Sequence, residues 1–128
     1  MAATIRAEDC ALCRPEEPGI HEPGCENHPG FNLTPDEISV PMIYAQEKAG
    51  EGAIVHLKLF LPGTNWTWYI TEYDPADDAA FGLVVGLATE LGYIDVGELR
   101  ALRVGPGGLF RVERDLWWTP KPLREVPR

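Results

Sequence analysis

The stretch AIVHLKLFLPGTNWTWYITEY, residues 53–73, determines the fold that the sequence predicts. Its first part, residues 53–61, is apolar and β-prone, and residues 66–73 combine aromatic with β-branched side chains. Between them, PGTN at residues 62–65 provides the proline, glycine and asparagine that favour a turn. We therefore expect two antiparallel strands joined as a hairpin.

Further elements are predicted downstream of this hairpin. AFGLVVGL at residues 80–87 is a third candidate strand, residues 93–94 are a short fourth, and residues 109–112 are a last one. Asp95 is expected to cap a helix, with Glu98 at the capping-box position.

An earlier short helix is predicted at Thr34, which is the expected N-cap, with Pro35 in the first turn and Glu37 completing a capping box. Pro41 limits this helix to a short piece. The order of the elements predicts an α+β fold, in which a small antiparallel sheet of four to five strands is accompanied by two short helices.

Residues 1–31 differ from the rest of the chain. They hold four prolines and three glycines with almost no apolar periodicity, so burial of apolar surface cannot order them. The same segment contains all three cysteines and two of the three histidines, and a bound metal would provide the missing order. We therefore divide the chain into a zinc-stapled, Pro/Gly-rich extension, residues 1–31, and an α+β domain, residues 32–128.

The predicted ligands of a structural Zn²⁺ are Cys10, Cys13, Cys25 and His28, in the spacing C-x2-C-x11-C-x2-H. Such a Cys₃His set satisfies tetrahedral coordination and closes the site to water and substrate. His21 is an alternative fourth ligand, because C-x2-C-x7-H-x3-C is also sterically possible. Free thiols without a metal are the competing interpretation.

Composition restricts the function classes. The chain has 128 residues, enough for one domain, and no stretch approaches the roughly 18–20 apolar residues of a membrane span. Residues 1–9 lack the basic flank and apolar block of a signal peptide. We therefore expect a cytoplasmic protein with no membrane partner, whose cysteines are reduced.

Charge is distributed unevenly along the chain. Residues 1–98 carry 17 acidic and 4 basic side chains, whereas residues 99–128 carry 3 acidic and 7 basic ones. An acidic body repels nucleic acid, because affinity for nucleic acid comes mainly from neutralised phosphates. The basic C-terminal stretch either forms a local patch or folds back onto acidic residues of the same domain.

Five aromatic and basic residues form a possible interaction surface, namely Trp66, Trp68, Tyr69, Arg111 and Arg114. Aromatic side chains on a sheet can stack unpaired bases. Strand alternation places the two tryptophans on one face and the tyrosine on the other. Tryptophans of a small domain are more often part of its core. No catalytic residue is predicted, since the chain has no phosphate-binding glycine loop and no nucleophile elbow.

Several motifs, spread over about residues 32–126, resemble a bacterial family known as domain of unknown function 2958. The residues that carry the resemblance are Leu33-Thr-Pro35, Lys58-Leu-Phe60, Asn65-Trp-Thr-Trp-Tyr69, Thr71-Glu72, Phe81-Gly-Leu83, Glu90-Leu-Gly-Tyr93, Glu98-Leu99, Gly108-Leu109 and Val112-Glu-Arg-Asp-Leu116. Members of that family are typically small proteins of plasmids, integrative elements and phages, with no established activity. The resemblance implies a setting in mobile DNA and does not imply a reaction.

These observations favour a non-catalytic interaction protein of a mobile genetic element, such as a plasmid or phage accessory protein. Its partner would be a protein encoded by the host or by the element, and one version has the acidic body imitate nucleic acid to occupy a DNA-binding defence protein. One alternative is nucleic-acid binding through the zinc arm and the basic C-terminal stretch. Another is an enzyme that acts on a small molecule or nucleotide, which requires a deep pocket lined by acidic residues.

Overall fold

A computed structural model describes residues 29–36 and 38–128 of the chain. The strands in this part are β1 (Ile54–Val55), β2 (Leu57–Phe60), β3 (Thr67–Asp74), β4 (Ala79–Val85), β5 (Thr89–Asp95), β6 (Arg103–Val104), β7 (Phe110–Arg111), β8 (Glu113–Arg114) and β9 (Lys121–Pro122). The α-helix α1 covers Val96–Ala101, and 3₁₀ turns lie at Pro29–Phe31, Glu47–Gly52, Pro106–Gly108 and Leu123–Glu125.

The centre of the fold is a five-stranded antiparallel sheet in the order β5-β4-β3-β2-β8. Two separate two-stranded antiparallel sheets are formed by β1 with β9 and by β6 with β7. The predicted hairpin is confirmed, because β2 and β3 pair with Leu57 opposite Ile70 and Phe60 opposite Thr67. The α+β class and the antiparallel sheet are confirmed with it.

The predicted strand at residues 53–61 is divided at His56. Before this residue β1 pairs with β9, and after it β2 pairs with β3 and β8. The backbone N–H of His56 still donates to the carbonyl of Ile70 at 2.9 Å, so the chain stays attached to β3 where it changes partner. The division lets one apolar segment hold both the central sheet and the C-terminal strand.

The two predicted helices have different outcomes. Asp95 caps α1 as expected, since its side chain accepts a hydrogen bond from the backbone N–H of Glu98 at 3.1 Å. At Thr34 the prediction is wrong, because residues 33–36 form bends and a turn. The hydroxyl of Thr34 accepts a hydrogen bond from Arg100 at 2.6 Å instead of capping a helix. Besides α1, the described residues contain short 3₁₀ turns, of which Glu47–Gly52 is the longest.

The sheet buries apolar side chains on both of its faces. The first core lies on the face of Trp68 and Ile70 and contains Leu33, Leu57, Leu59, Leu61, Ala80, Ile94, Val96, Leu99 and Val112. The second core lies on the face of Tyr69 and contains Ala53, Val55, Leu83, Leu123 and Val126. Neighbouring residues of β3 belong to different cores because a strand alternates its side chains between its faces. In the part of the chain that the structure describes, no helix has the length and apolar character needed to cross a bilayer.

Candidate binding cleft

A β-bulge in β3 determines which residues reach the second face of the sheet. Ile70 lies opposite Gly82 and Glu72 lies opposite Phe81, so Thr71 is an extra residue in β3. Without this insertion, Glu72 would share the first-core face with Ile70, because side chains of a strand alternate with period two. The bulge places the carboxylate on the second face, in one row with Phe81 on β4 and Tyr93 on β5.

The carboxylate of Glu72 holds the loop that precedes the 3₁₀ turn Glu47–Gly52. Its side chain is almost completely buried, with 3 % of the residue exposed. One oxygen accepts the backbone N–H of Tyr44 at 2.9 Å, and the other accepts that of Gln46 at 2.6 Å. A buried carboxylate requires such donors, because an unpaired buried charge is strongly destabilising.

Gln46 connects this loop to two strands. Its side-chain amide donates to the carbonyl of Ile54 at 3.0 Å and to that of Thr71 at 2.8 Å, and its amide oxygen accepts the N–H of Ile54 at 2.7 Å. The Thr71 carbonyl belongs to the bulge, where the regular ladder is interrupted. Gln46 therefore takes the place of a strand residue between β1 and β3.

Tyr44 is held by this network in a conformation that its residue type rarely adopts. Its φ is 77°, in the left-handed region that favours glycine. Such strain persists only where the surroundings impose it, and it concentrates at functional sites. Here it is imposed by the hydrogen bond from the Tyr44 N–H to Glu72.

The two exposed tyrosines of this region meet at the rim. The hydroxyl of Tyr93 donates to that of Tyr44 at 3.0 Å, and this hydrogen bond is the main cause that raises the pKa of Tyr93 above its ordinary value. The ring of Tyr93 also packs edge-on against Phe81, with 5.2 Å between the ring centres and 73° between the planes. The ring of Tyr93 is thus positioned from two sides.

A cleft of about 190 Å³ lies between the loop and the second face of the sheet. It is lined by Ile43, Tyr44, Gln46, Glu47, Gly50, Ala53, Thr71, Glu72, Phe81, Leu91, Tyr93 and Leu123. Three of these side chains are aromatic and two are carboxylates, and the described lining contains no lysine, arginine or histidine. The cleft is therefore aromatic, apolar and negatively charged.

The polar groups inside the cleft are already engaged in hydrogen bonds. Both oxygens of Glu72 accept backbone N–H groups, and the Thr71 hydroxyl donates to the carbonyl of Phe81 at 3.1 Å. The Gln46 amide bonds to backbone on both of its sides. Among the described lining residues, this leaves the exposed Glu47 carboxylate and the tyrosine hydroxyls for a ligand. Such a site can bind, and it does not present a nucleophile paired with a base.

The structure does not assemble the five predicted interaction residues into one surface. Trp68 and Tyr69 are 7 % and 4 % exposed and belong to the two cores, because β3 is a central strand covered on both faces. The partly exposed Trp66 stacks on Trp68 with 6.0 Å between the ring centres. Trp68 and Tyr69, which the sequence suggested as part of an interaction surface, are therefore core residues in the structure.

The two arginines of that set are engaged with the start of the described chain. Arg114 donates to the carbonyl of Asn32 at 2.8 Å and to that of Pro29 at 3.3 Å. The guanidinium of Arg111 lies 4.0 Å from the centre of the Phe31 ring. Both side chains therefore fasten residues 29–32 to the C-terminal strands.

Other basic residues of the C-terminal stretch fold back onto acidic partners, as one of the two interpretations of the charge pattern predicts. Arg100 forms a two-pronged pair with Asp78, at 2.9 and 3.1 Å, and Arg128 pairs with Glu51. The hydrogen bonds from Arg100 are the main cause that lowers the pKa of Asp78 below its ordinary value. Arg100 and Arg128 therefore form ion pairs within the domain.

The predicted zinc ligands Cys10, Cys13, Cys25 and His28, with His21 as the alternative, lie outside the described residues. Within residues 29–36 and 38–128, no three His, Cys, Asp or Glu side chains are grouped so that they could hold a metal ion. The zinc site remains a prediction from the sequence.

The cleft has no clear signal in the amino-acid sequence. Residues 42–47 have no periodic pattern, and the roles of Tyr44 and Gln46 depend on contacts with distant strands. The one available signal is Glu72, a charged residue inside a run of aromatic and β-branched residues. A charge at such a position indicates a buried partner or a site.

Comparison with known proteins identifies one related group. A family model described as "Protein of unknown function (DUF2958)" matches residues 38–124. No curated protein and no solved structure matches the chain. The matched range includes every residue that lines the cleft.

Proposed function

The chain belongs to the family of proteins of unknown function (DUF2958) whose model covers residues 38–124, and we propose that it is a non-catalytic interaction protein that binds its ligand in the cleft above Glu72. The observation that carries this proposal is the strained Tyr44 at the rim, held by a buried carboxylate. A loop that only connected two strands would not need this arrangement.

The free-energy cost of the network supports a role in binding. Backbone strain of this kind costs about 1–3 kcal/mol, and burial of the Glu72 carboxyl group also costs free energy. Both costs are offset by hydrogen bonds within the network. The result is a preorganised rim, which lowers the entropy lost when a ligand binds.

The buried polar groups of the cleft are hydrogen-bonded within the protein, which supports binding without catalysis. Both oxygens of the buried Glu72 carboxylate are directed at backbone N–H groups of the loop. Glu47 is exposed to solvent, and the other carboxylate of the described lining, Glu72, is engaged with backbone N–H groups. General acid–base catalysis needs at least one positioned group with access to the reacting atoms.

The family setting adds the biological part of the proposal. We infer that the ligand belongs to a protein partner, encoded by the host or by a mobile element, and that a structural zinc in residues 1–31 acts as a staple for the N-terminal segment. The acidic character of the chain, with a net charge of −9, supports a basic partner.

The test is a fragment and peptide library screened by amide-resonance NMR on the full chain. Binding at the cleft will shift the resonances of Tyr44, Leu91 and Tyr93 together. A Leu91→Lys variant, which places a cation in the lining, will lose those shifts and retain the wild-type fold, because Leu91 is half exposed. Turnover of any library compound, or shifts that cluster elsewhere in the domain, would contradict the proposal.

A second candidate function rests on the C-terminal aromatic residues. Trp117 is 80 % exposed, and the ammonium of Lys121 lies 4.7 Å from the ring centre of the neighbouring Trp118. Exposed aromatic rings beside cations suit unpaired bases. Single-stranded DNA binding that falls steeply with salt and is lost in Trp117→Ala would support this alternative.

A further inference from the structure

We infer that the ligand of the cleft is a basic segment of a partner protein, which adds a strand along β5 and places one lysine or arginine side chain in the cleft, beside the rings of Tyr44 and Tyr93. This inference rests on the proposed function and names the ligand of the same cleft. It follows from the chemistry of the lining, the volume of the cleft and the state of the sheet edge.

The chemistry of the lining selects a cation. Aromatic rings of Tyr44, Phe81 and Tyr93 and carboxylates of Glu47 and Glu72 line the same cleft, and no cationic side chain of the described residues lines it. Aromatic faces attract an ammonium or guanidinium through their quadrupole, and nearby carboxylates add Coulombic attraction. A phosphate or carboxylate ligand would be repelled by these carboxylates.

The volume of the cleft limits the ligand to one side chain. Pockets for drug-sized molecules usually measure about 300–1,000 Å³. The cleft measures about 190 Å³. A single long side chain with a cationic end fits such a space, whereas a nucleotide does not.

The edge of the sheet provides a place for the backbone of the partner. β5 is the outer strand of the five-stranded sheet, and in the described part of the chain no strand pairs with its outer edge. Its sequence, TELGYID, contains no lysine and no proline, the residues that most often protect an edge. Added strands gain main-chain hydrogen bonds, and pockets for alternate side chains give specificity.

The two features adjoin on the same strand. Leu91 and Tyr93 belong to β5 and also line the cleft. Asp95 adds an exposed acidic side chain to this strand, on the same face as Leu91 and Tyr93. A basic strand laid along β5 would therefore place alternate side chains over the cleft and meet complementary charge along the edge.

The test uses a short peptide of alternating valine and threonine with one central arginine, titrated into the full chain and followed by amide-resonance NMR. A second peptide carries citrulline, the neutral isostere of arginine, and a third carries the arginine with N-methylated backbone amides. The arginine peptide is expected to bind about tenfold more tightly than the citrulline peptide. The N-methylated peptide is expected to lose most of its affinity, since it cannot pair with the edge.

Two matched variants locate the charge effect. Glu47→Gln removes a carboxylate that lines the cleft and is expected to weaken binding of the arginine peptide about threefold to tenfold. Glu90→Gln makes the same change in net charge on the opposite face of β5 and is expected to leave the affinity within about twofold. If the two variants weaken binding equally, the net charge of the protein alone explains the attraction, and the inference is overturned.

The outcomes separate this inference from the proposed function. If the citrulline and arginine peptides bind the cleft equally well, the inferred preference for a cationic side chain is wrong and the proposed binding function stands. If library compounds shift the cleft resonances and none of the three peptides does, the strand partner is wrong and the cleft still binds. If nothing shifts those resonances, both proposals fail.

Discussion

Glu72 shows how one residue can organise a site from inside a strand. Its neighbours are aromatic or β-branched, and only the bulge at Thr71 moves its carboxylate away from the first core. There it receives two backbone N–H groups and determines where Tyr44 lies. The sequence marks Glu72 as unusual, but the bulge arises from pairing with β4 and has no local signal.

The side-chain amide of Gln46 tests the network at the same scale. In Gln46→Glu a carboxylate replaces the amide and faces the carbonyl oxygens of Ile54 and Thr71, to which the amide now donates. We expect the free energy of unfolding to fall by about 2–3 kcal/mol, since two acceptors lose their donor and meet a charge. Urea denaturation measures this. Glu47→Gln, the reverse exchange at an exposed neighbour, should change stability by less than about 0.5 kcal/mol, and equal stability of the two variants would contradict the role of Gln46.

Asp78 predicts a pH dependence of stability. It accepts two hydrogen bonds from Arg100 and one from the Tyr73 hydroxyl at 2.6 Å, and the bonds from Arg100 are the main cause that lowers its pKa. A carboxyl whose pKa is lower in the folded state contributes stability above its ordinary pKa of about 3.9, and this contribution is lost as the pH falls through the lower folded value.

The measurement compares the wild type with Asp78→Asn across this range. Because the pair is partly exposed to solvent, we expect the variant to be less stable by about 1 kcal/mol at pH 7. The difference should shrink as the pH falls below about 4 and vanish below the folded pKa of Asp78. A difference that stays constant from pH 7 to pH 2 would show that the charge of Asp78 has no part in it.

At the scale of elements, local patterns predict the central hairpin and miss its neighbours. The turn at residues 62–65 lies between two apolar segments, so β2 and β3 follow from the sequence. β5 has seven residues where two were expected, because an edge strand with one exposed side lacks apolar alternation. The predicted helix at Thr34 does not form, because its capping hydroxyl accepts from a residue 66 positions away.

The contact between β3 and β4 leads to a sharp prediction for two glycines. A β-carbon at Gly82 would collide with the carbonyl oxygen of Tyr69 on the neighbouring strand, whereas a β-carbon at Gly92, opposite Gly82 on β5, meets no atom within 4 Å. We expect Gly82→Ala to lower the free energy of unfolding by about 3 kcal/mol, because backbone atoms cannot move aside as a flexible side chain can.

Gly92→Ala is the matched control on the adjoining strand. It is expected to leave stability unchanged or to raise it by about 0.5 kcal/mol, since alanine reduces the freedom of the unfolded chain. Thermal unfolding of both variants measures the difference. Similar midpoints for the two would mean that β3 and β4 are not packed as closely as described.

At the scale of the whole molecule, the folded part and the metal prediction can be separated by experiment. Both cores are built from residues 33–126, so zinc bound in the N-terminal segment is expected to order that segment without holding the sheet together. Native mass spectrometry of the full chain should find about one Zn²⁺ per molecule, because Cys10, Cys13, Cys25 and His28 complete one tetrahedral set.

Cys13→Ser should abolish zinc binding, and comparing His28→Ala with His21→Ala identifies the fourth ligand. A chelator should remove the metal and leave the thermal unfolding of the sheet within about 2 °C of its original midpoint, whereas collapse of the sheet, or a metal-free wild type, would contradict the staple.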